Sequence, residues 1–169
     1  MKKLLILGAG GYGRTVAEAA QGMFDEICFL DDGKQGPGVL GSCDGYEAYA
    51  GEFQYAYPAF GSNDLRATWM RRLDEAGYRV PAIVHPRAWV SPSAVVEDGA
   101  VILAMACVGA GTKVRRGAIV NIGALIDHDC TVSFCVHAAP GAVVKAGNFL
   151  APMTKVESGE VVQRAAYSV

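Results

Sequence analysis

Charge is scarce in this chain. Asp, Glu, Lys and Arg make up 19% of its 169 residues, the net charge is −2 and the pI is about 5.9. Without a basic excess, nothing marks a nucleic-acid-binding surface. Yet 51% of the residues are hydrophobic, too many for a disordered chain. Long apolar runs are also missing. Residues 99–112 are uncharged but too few to span a bilayer, which takes about 20 apolar residues. The stretch Lys2-Lys3-Leu4-Leu5-Ile6-Leu7 is cut by glycines and Arg14 before it could form a signal-peptide core. The five cysteines are odd in number and contain no CxxC pair, which argues against a disulfide framework or a cysteine zinc site. The expectation is a cytoplasmic protein with reduced thiols, no membrane insertion and no nucleic-acid partner. Its length fits one ordinary domain or two very small ones.

Glycine, by contrast, is abundant: 21 residues, well above the usual share of about 7%. The chain divides near Pro81. Residues 1–81 alternate strand and helix signals. The apolar run Lys3 to Leu7 suits a buried parallel strand, and Gly8-Ala9-Gly10-Gly11-Tyr12-Gly13 follows it. A helix is expected over residues 14–21, strands over 26–30 and 54–60, and a glycine-rich loop over 33–38. A second helix is expected over 64–76, capped by Asn63 and stopped at Gly77. The reading is a small parallel α/β subdomain of Rossmann-like, nucleotide-binding type.

Residues 82–169 have a period of six. Every sixth residue from Val90 through Val162 is aliphatic, and alanine stands two places earlier at 88, 94, 100, 106, 118, 124 and 142. Such a period is the signature of a β-solenoid, with aliphatic rungs stacked inward and small residues at tight corners. A string of antiparallel strands would not need this register.

The joined pattern resembles a known family. The glycine loop, Phe29-Leu30-Asp31-Asp32, Ile83-Val84-His85-Pro86 and Ile126-Asp127-His128-Asp129-Cys130, in that order, are similar to the bacterial nucleotide-aminosugar N-acetyltransferases. These are kin of the sialic-acid O-acetyltransferases, hexapeptide-repeat enzymes built on a left-handed parallel β-helix. The resemblance covers the chain up to about Ala146. It implies an acetyl-CoA-dependent N-acetyltransferase acting on a nucleotide-linked amino sugar in polysaccharide biosynthesis, and a homotrimer.

His128 is the candidate general base. It lies two residues after the inward Ile126, so it should leave the ladder. Asp127 and Asp129 flank it, and either can hold its tautomer. Amine attack on a thioester needs such a base near neutral pH. The resemblance implies that Asp129 assists, in place of the glutamate of some relatives. It further places His137, Ala146 and Gly147 at the acetyl-CoA site, with a backbone N–H of Ala146 or Gly147 available to the oxyanion. His137 as a surface or subunit-contact residue is equally open, and a structural role for His128 is the bland alternative. Gaps of 43 and nine residues separate His85, His128 and His137, so three imidazoles do not obviously converge, and no metal is expected.

Gly8, Gly10 and Gly13 satisfy GxGxxG between a strand and a helix, an arrangement in which backbone and helix N-terminus attract phosphate. The resemblance implies a nucleotide-sugar here. The substrate set is then Gly8, Gly10, Gly11, Tyr12 (histidine in many relatives), Gly13, Asp31, Asp32, Gly61 and Asn63. A plain strand-to-helix turn and an NAD(P) site are the other readings of the loop. Family members usually continue for more hexads, whereas residues 163–169 offer a cap or tail. This keeps open a weakly active or inactive nucleotide-sugar-binding trimer with a shortened CoA site, and O-acetylation is a lesser alternative.

Overall fold

The computed structural model describes residues 1–164; residues 165–169, the greater part of the expected cap or tail, lie outside the described residues. The backbone forms two compact units, Met1–Pro81 and the chain from Ala82 onward.

The first unit is a parallel sheet of β1 (Lys3–Leu7), β2 (Glu26–Leu30), β3 (Val39–Gly41) and β4 (Tyr55–Pro58) in the order β3-β2-β1-β4. Leu4 to Leu7 are fully buried because β1 is central, paired on both edges. Helix α1 (Gly11–Ala19) buries Gly13, Val16 and Ala19. It begins three residues earlier than its helix-forming residues imply, and packing explains why. A Cβ on Gly13 would lie 1.8 Å from the Gly8 carbonyl oxygen, so only glycine lets the first turn close onto the loop. Residues 33–38 form the expected loop, and after it come two elements not expected, β3 and the 3-10 turn Cys43–Tyr49.

Helix α2 (Asn63–Glu75) is capped by Ser62 rather than Asn63: the Leu65 N–H donates to Ser62 Oγ at 3.3 Å. The Asn63 side chain is unavailable for capping because it accepts from the Arg66 guanidinium at 2.7 Å. The loops after β1 and β4 leave from adjacent strand ends, where the strand order reverses. Open α/β sheets bind ligands at such a crevice.

The second unit is a parallel β-helix. Its described residues form fourteen two-residue strands, from β5 (Ile83–Val84) to β18 (Val161–Val162), arranged in three parallel sheets. Strand partners lie 18 residues apart, as in Lys113↔Thr131, Ile119↔His137 and Leu125↔Val143. One coil is therefore three hexads. The inward rungs from Ile102 to Val156 are buried, and Val90, Val96 and Val162 are partly covered at the ends. Each fully buried valine, isoleucine or leucine rung contributes about 1.5–3 kcal/mol, and the alanine rung at 138 less. Corners turn through a left-handed residue, usually glycine (Gly111 at φ +68°, Gly123 at +66°) but also Met105, Asp129, Cys135 and Met153.

Among the described residues no helix is long and apolar enough to cross a membrane.

Candidate active site

His128 stands at the corner that follows β12 (Leu125–Ile126), one residue before a left-handed turn at Asp129. Ile126 is inward and buried, which carries His128 out of the ladder; its side chain is about half exposed. Two local contacts fix it. Asp127 Oδ1 accepts the His128 backbone N–H at 2.8 Å, and Asp129 Oδ2 lies 2.8 Å from His128 Nδ1. The carboxylate beside the ring is thus that of Asp129, and Asp127 contacts only the backbone. In the neutral imidazole with Nδ1–H donated to the Asp129 carboxylate, Nε2 carries the lone pair. The left-handed φ of 56° is one that aspartate tolerates better than most residues.

A cavity of about 460 Å³ runs along the outer face of β6 (Trp89–Val90), β9 (Cys107–Val108), β12 and β15 (Val143–Val144). Trp89, Leu125 and Val143 give it apolar walls, and Asp127, His128 and Lys145 supply polar groups. The wall residues and Lys145 were not among the sequence candidates. Their signal is an apolar outward residue just before the inward rung, recurring every 18 residues at 89, 107, 125, 143 and 161. A step of six mixes three faces and hides it.

Of the remaining solenoid candidates, Ala146 and Gly147 lie one coil from the His128 corner, stacked on it, and His137 stands apart. His137 opens β14 (His137–Ala138), in a different sheet from β12, does not line this cavity, and has Nε2 3.0 Å from Asn121 Nδ2. Ala146 is buried. The Gly147 N–H donates to the His128 carbonyl at 3.0 Å, so it serves the corner itself. The Cys130 thiol is buried, and burial raises it above its ordinary range, which makes it a poor nucleophile.

In the first unit the glycine loop is held tightly. Gly8, at φ +102°, donates its N–H to the Leu30 carbonyl at 2.7 Å. Asp31 accepts from Ala9 N–H at 2.7 Å through Oδ2, and from Gly33 and Lys34 N–H at 2.9 and 2.7 Å through Oδ1. These bonds, that from Ala9 first, hold the Asp31 carboxyl below its usual range. Asp32 Oδ1 accepts the Cys43 N–H at 2.8 Å. Both aspartates thus shape the loops, and they also line a second cavity of about 420 Å³ with Lys34, Gln35 and Ser42.

Gly10 caps α1 without a side-chain bond, and no acidic residue occupies the first turn. That end keeps its partial positive charge for an anion. Tyr12 Oη lies 3.1 Å from Tyr57 Oη, and burial raises the Tyr12 phenol well above its ordinary range. Sequence reading missed Arg66. It is fully buried and donates to the carbonyls of Phe60, Gly61 and Ser62 and to Asn63 Oδ1, so Gly61 and Asn63 sit on its guanidinium. Among the described residues no group of three or more His, Cys, Asp or Glu is placed to hold a metal ion.

Comparison with known proteins bears on both units. Residues 3–73 match the PglD N-terminal domain family. The whole fold is similar to the acetyltransferase domain of PglB from Neisseria gonorrhoeae FA1090, with 37% identity and a TM-score of 0.90 over 95% of this chain and 82% of that one. The same domain in complex with acetyl coenzyme A gives 36% identity and a TM-score of 0.90 over 95% and 81%. PerB from Caulobacter crescentus, in complex with CoA and GDP-perosamine, is 25% identical with a TM-score of 0.83 over 97% and 90%.

Proposed function

The chain belongs to the nucleotide-aminosugar acetyltransferase family of left-handed β-helix, hexapeptide-repeat acyltransferases, and from that premise we propose that His128 is the general base with which it acetylates a sugar amine. It is an acyltransferase, acetyl-CoA is its donor, and its acceptor is a nucleotide-linked amino sugar. The observation that carries the role of His128 is its 2.8 Å contact with Asp129 at the edge of the cavity.

The step follows from that contact. Asp129 holds Nδ1–H, and Nε2 takes the proton as the amine nitrogen attacks the thioester carbonyl. The C–N bond forms, the C–S bond breaks, and the proton on Nε2 is returned to the departing CoA thiolate. No covalent enzyme intermediate is needed. Gly147 has committed its N–H to the His128 carbonyl, which leaves the Ala146 N–H as donor to the oxyanion. Gly8, Gly10, Gly11 and Gly13 with the α1 N-terminus take the nucleotide phosphates, and the cavity beside Asp31 and Asp32 takes the nucleoside. His137, with Asn121 fixing its ring, serves the donor.

The domain limits 1–81 and 82–169, the homotrimer and the cytoplasmic location belong to the same proposal. The test is incubation with acetyl-CoA and a panel of UDP-, GDP- and dTDP-amino sugars, read by mass spectrometry as the gain of one acetyl group. His128→Ala is expected to lower kcat by about 10²–10⁴-fold while both substrates still bind. An unchanged rate overturns the assignment.

A further inference from the structure

The corners of the solenoid share a small hydrogen bond. The N–H of the residue two places before each inward rung donates to the carbonyl three residues back. This closes 115–118 (3.1 Å), 121–124 (3.0 Å), 133–136 (3.2 Å), 139–142 (3.0 Å) and 151–154 (3.2 Å). Among the described residues two corners lack it: 127–130, which carries His128, and 145–148, which carries Ala146 and Gly147.

The cause lies one coil earlier. Strand partners are 18 residues apart, so the residue beneath Cys130 is Thr112. Its side chain is fully buried, its hydroxyl donates to the Asp127 carbonyl at 2.7 Å, and it accepts the Cys130 N–H at 3.1 Å. The hydroxyl is inserted between the two groups whose counterparts close the preceding corner, 121–124, and the following one, 133–136. Beneath the closed corners 115–118, 121–124, 133–136 and 139–142 lie Ala100, Ala106, Ala118 and Ala124, and beneath 151–154 lies Val136. None of these offers a polar atom. Beneath the other open corner lies Cys130, whose thiol donates to the Lys145 carbonyl at 3.3 Å and receives the Asn148 N–H. An apolar side chain below leaves a corner closed, and a hydroxyl or thiol opens it.

We infer that Thr112 is a positioning residue for acetyl transfer: its hydroxyl wedges open the 127–130 corner and so sets the backbone that carries His128 and Asp129. The inference rests on the role proposed above for His128. Its geometry is local: Asp127 and Cys130, the two residues that Thr112 grips, bracket His128 and Asp129, and Asp127 also receives the His128 N–H. Once Thr112 is apolar, the Cys130 N–H can reach the Asp127 carbonyl directly. The turn then tightens and the imidazole moves with it. Displacements of this order are costly in rate because the base must meet the amine within hydrogen-bond reach.

The variants are Thr112→Val, Thr112→Ala and Thr112→Ser. Val136 and the alanines occupy equivalent places, so the first two fit the fold, and valine keeps the shape of threonine without its hydroxyl. Thr112→Val and Thr112→Ala are expected to lower kcat about tenfold to a hundredfold with little change in KM for acetyl-CoA, and Thr112→Ser to restore most of it. A second readout needs no acceptor sugar. The ¹⁵N chemical shifts of the His128 ring report its tautomer, which should be Nδ1–H in the wild type and in Thr112→Ser but mixed in Thr112→Val. Wild-type kcat and ring shifts in Thr112→Val overturn the inference, as does a serine variant no better than valine. Failure of the base assignment is separate: it shows as full activity in His128→Ala.

Discussion

Gly111→Ala should separate backbone strain from loss of the His128–Asp129 contact, provided it is measured beside Gly123→Ala. Both glycines turn a corner with nearly the same left-handed φ, +68° and +66°. An alanine at either costs about 1–2 kcal/mol of stability, a strain that Met105, Asp129, Cys135 and Met153 already bear elsewhere in the solenoid. The surroundings differ. A Cβ at Gly123 meets nothing within 4 Å, whereas one at Gly111 would lie 2.6 Å from Asp129 Oδ1. Ordinary contact needs about 3.5 Å, so the carboxylate must retreat by roughly 0.9 Å. Carried to Oδ2 and directed away from the ring, a shift of that size stretches the 2.8 Å contact with His128 Nδ1 to about 3.7 Å, beyond hydrogen-bond distance. Loss of the group that orients a reacting imidazole costs about tenfold to a hundredfold in rate. The assay is release of the CoA thiol with an accepted sugar nucleotide, alongside thermal unfolding. The two variants should lose similar stability, and only Gly111→Ala should lose the rate. Equal rates in the two variants refute the reasoning.

Two further predictions concern the first unit. Asp31→Ala removes an acceptor from three backbone N–H groups and should cost about 2–3 kcal/mol near neutral pH. Because the folded carboxyl titrates below its unfolded value, its stabilisation is present above about pH 4 and is lost as the pH falls through the lower folded value. The gap in melting temperature between wild type and variant should therefore narrow in acid, and a constant gap counts against this role. Arg66→Met should destabilise the unit by about 1–3 kcal/mol in denaturant unfolding, since the fully buried guanidinium is the donor to the Phe60 carbonyl at 2.9 Å and to Asn63 Oδ1 at 2.7 Å. Arg66→Lys should recover little, because one ammonium cannot reproduce the fork; near-wild-type stability in either variant contradicts the assignment.

What could be read in the residues follows from the range of the forces that set each feature. The inward ladder is a repeating burial pattern, and it survives in sequence because every rung obeys the same constraint from Val90 to Val162. The α/β unit was legible where strands are buried on both faces, as at Leu4 to Leu7. It was less so at β3, a short edge strand half exposed at Val39, where burial leaves little pattern. Propensity alone starts α1 too late, because glycine lowers helix propensity. Gly13 is there for close approach to Gly8, a tertiary demand that overrides local preference. The cap of α2 differs from the local expectation for a similar reason: Asn63 is chemically fit to cap but is held by Arg66.

His128 was prominent in sequence because its neighbours are its partners: Asp127 and Asp129 act from positions i−1 and i+1. The corner beneath it was silent because its partners are 18 residues earlier. Gly109, whose absent Cβ would lie 2.7 Å from Asp127 C and His128 N, is paired with Asp127 by the register. Gly111 is paired with Asp129, and Thr112 with Cys130. None of the three stands out alone, and each answers a requirement of the corner above: room for its backbone, room for the orienting carboxylate, and a hydroxyl where an alanine would let the turn close. Once the coil length is known to be 18, laying residues 109–112 over 127–130 recovers all three pairs from sequence alone. The information was present in the chain, but in a register that a six-residue count does not distinguish from two others.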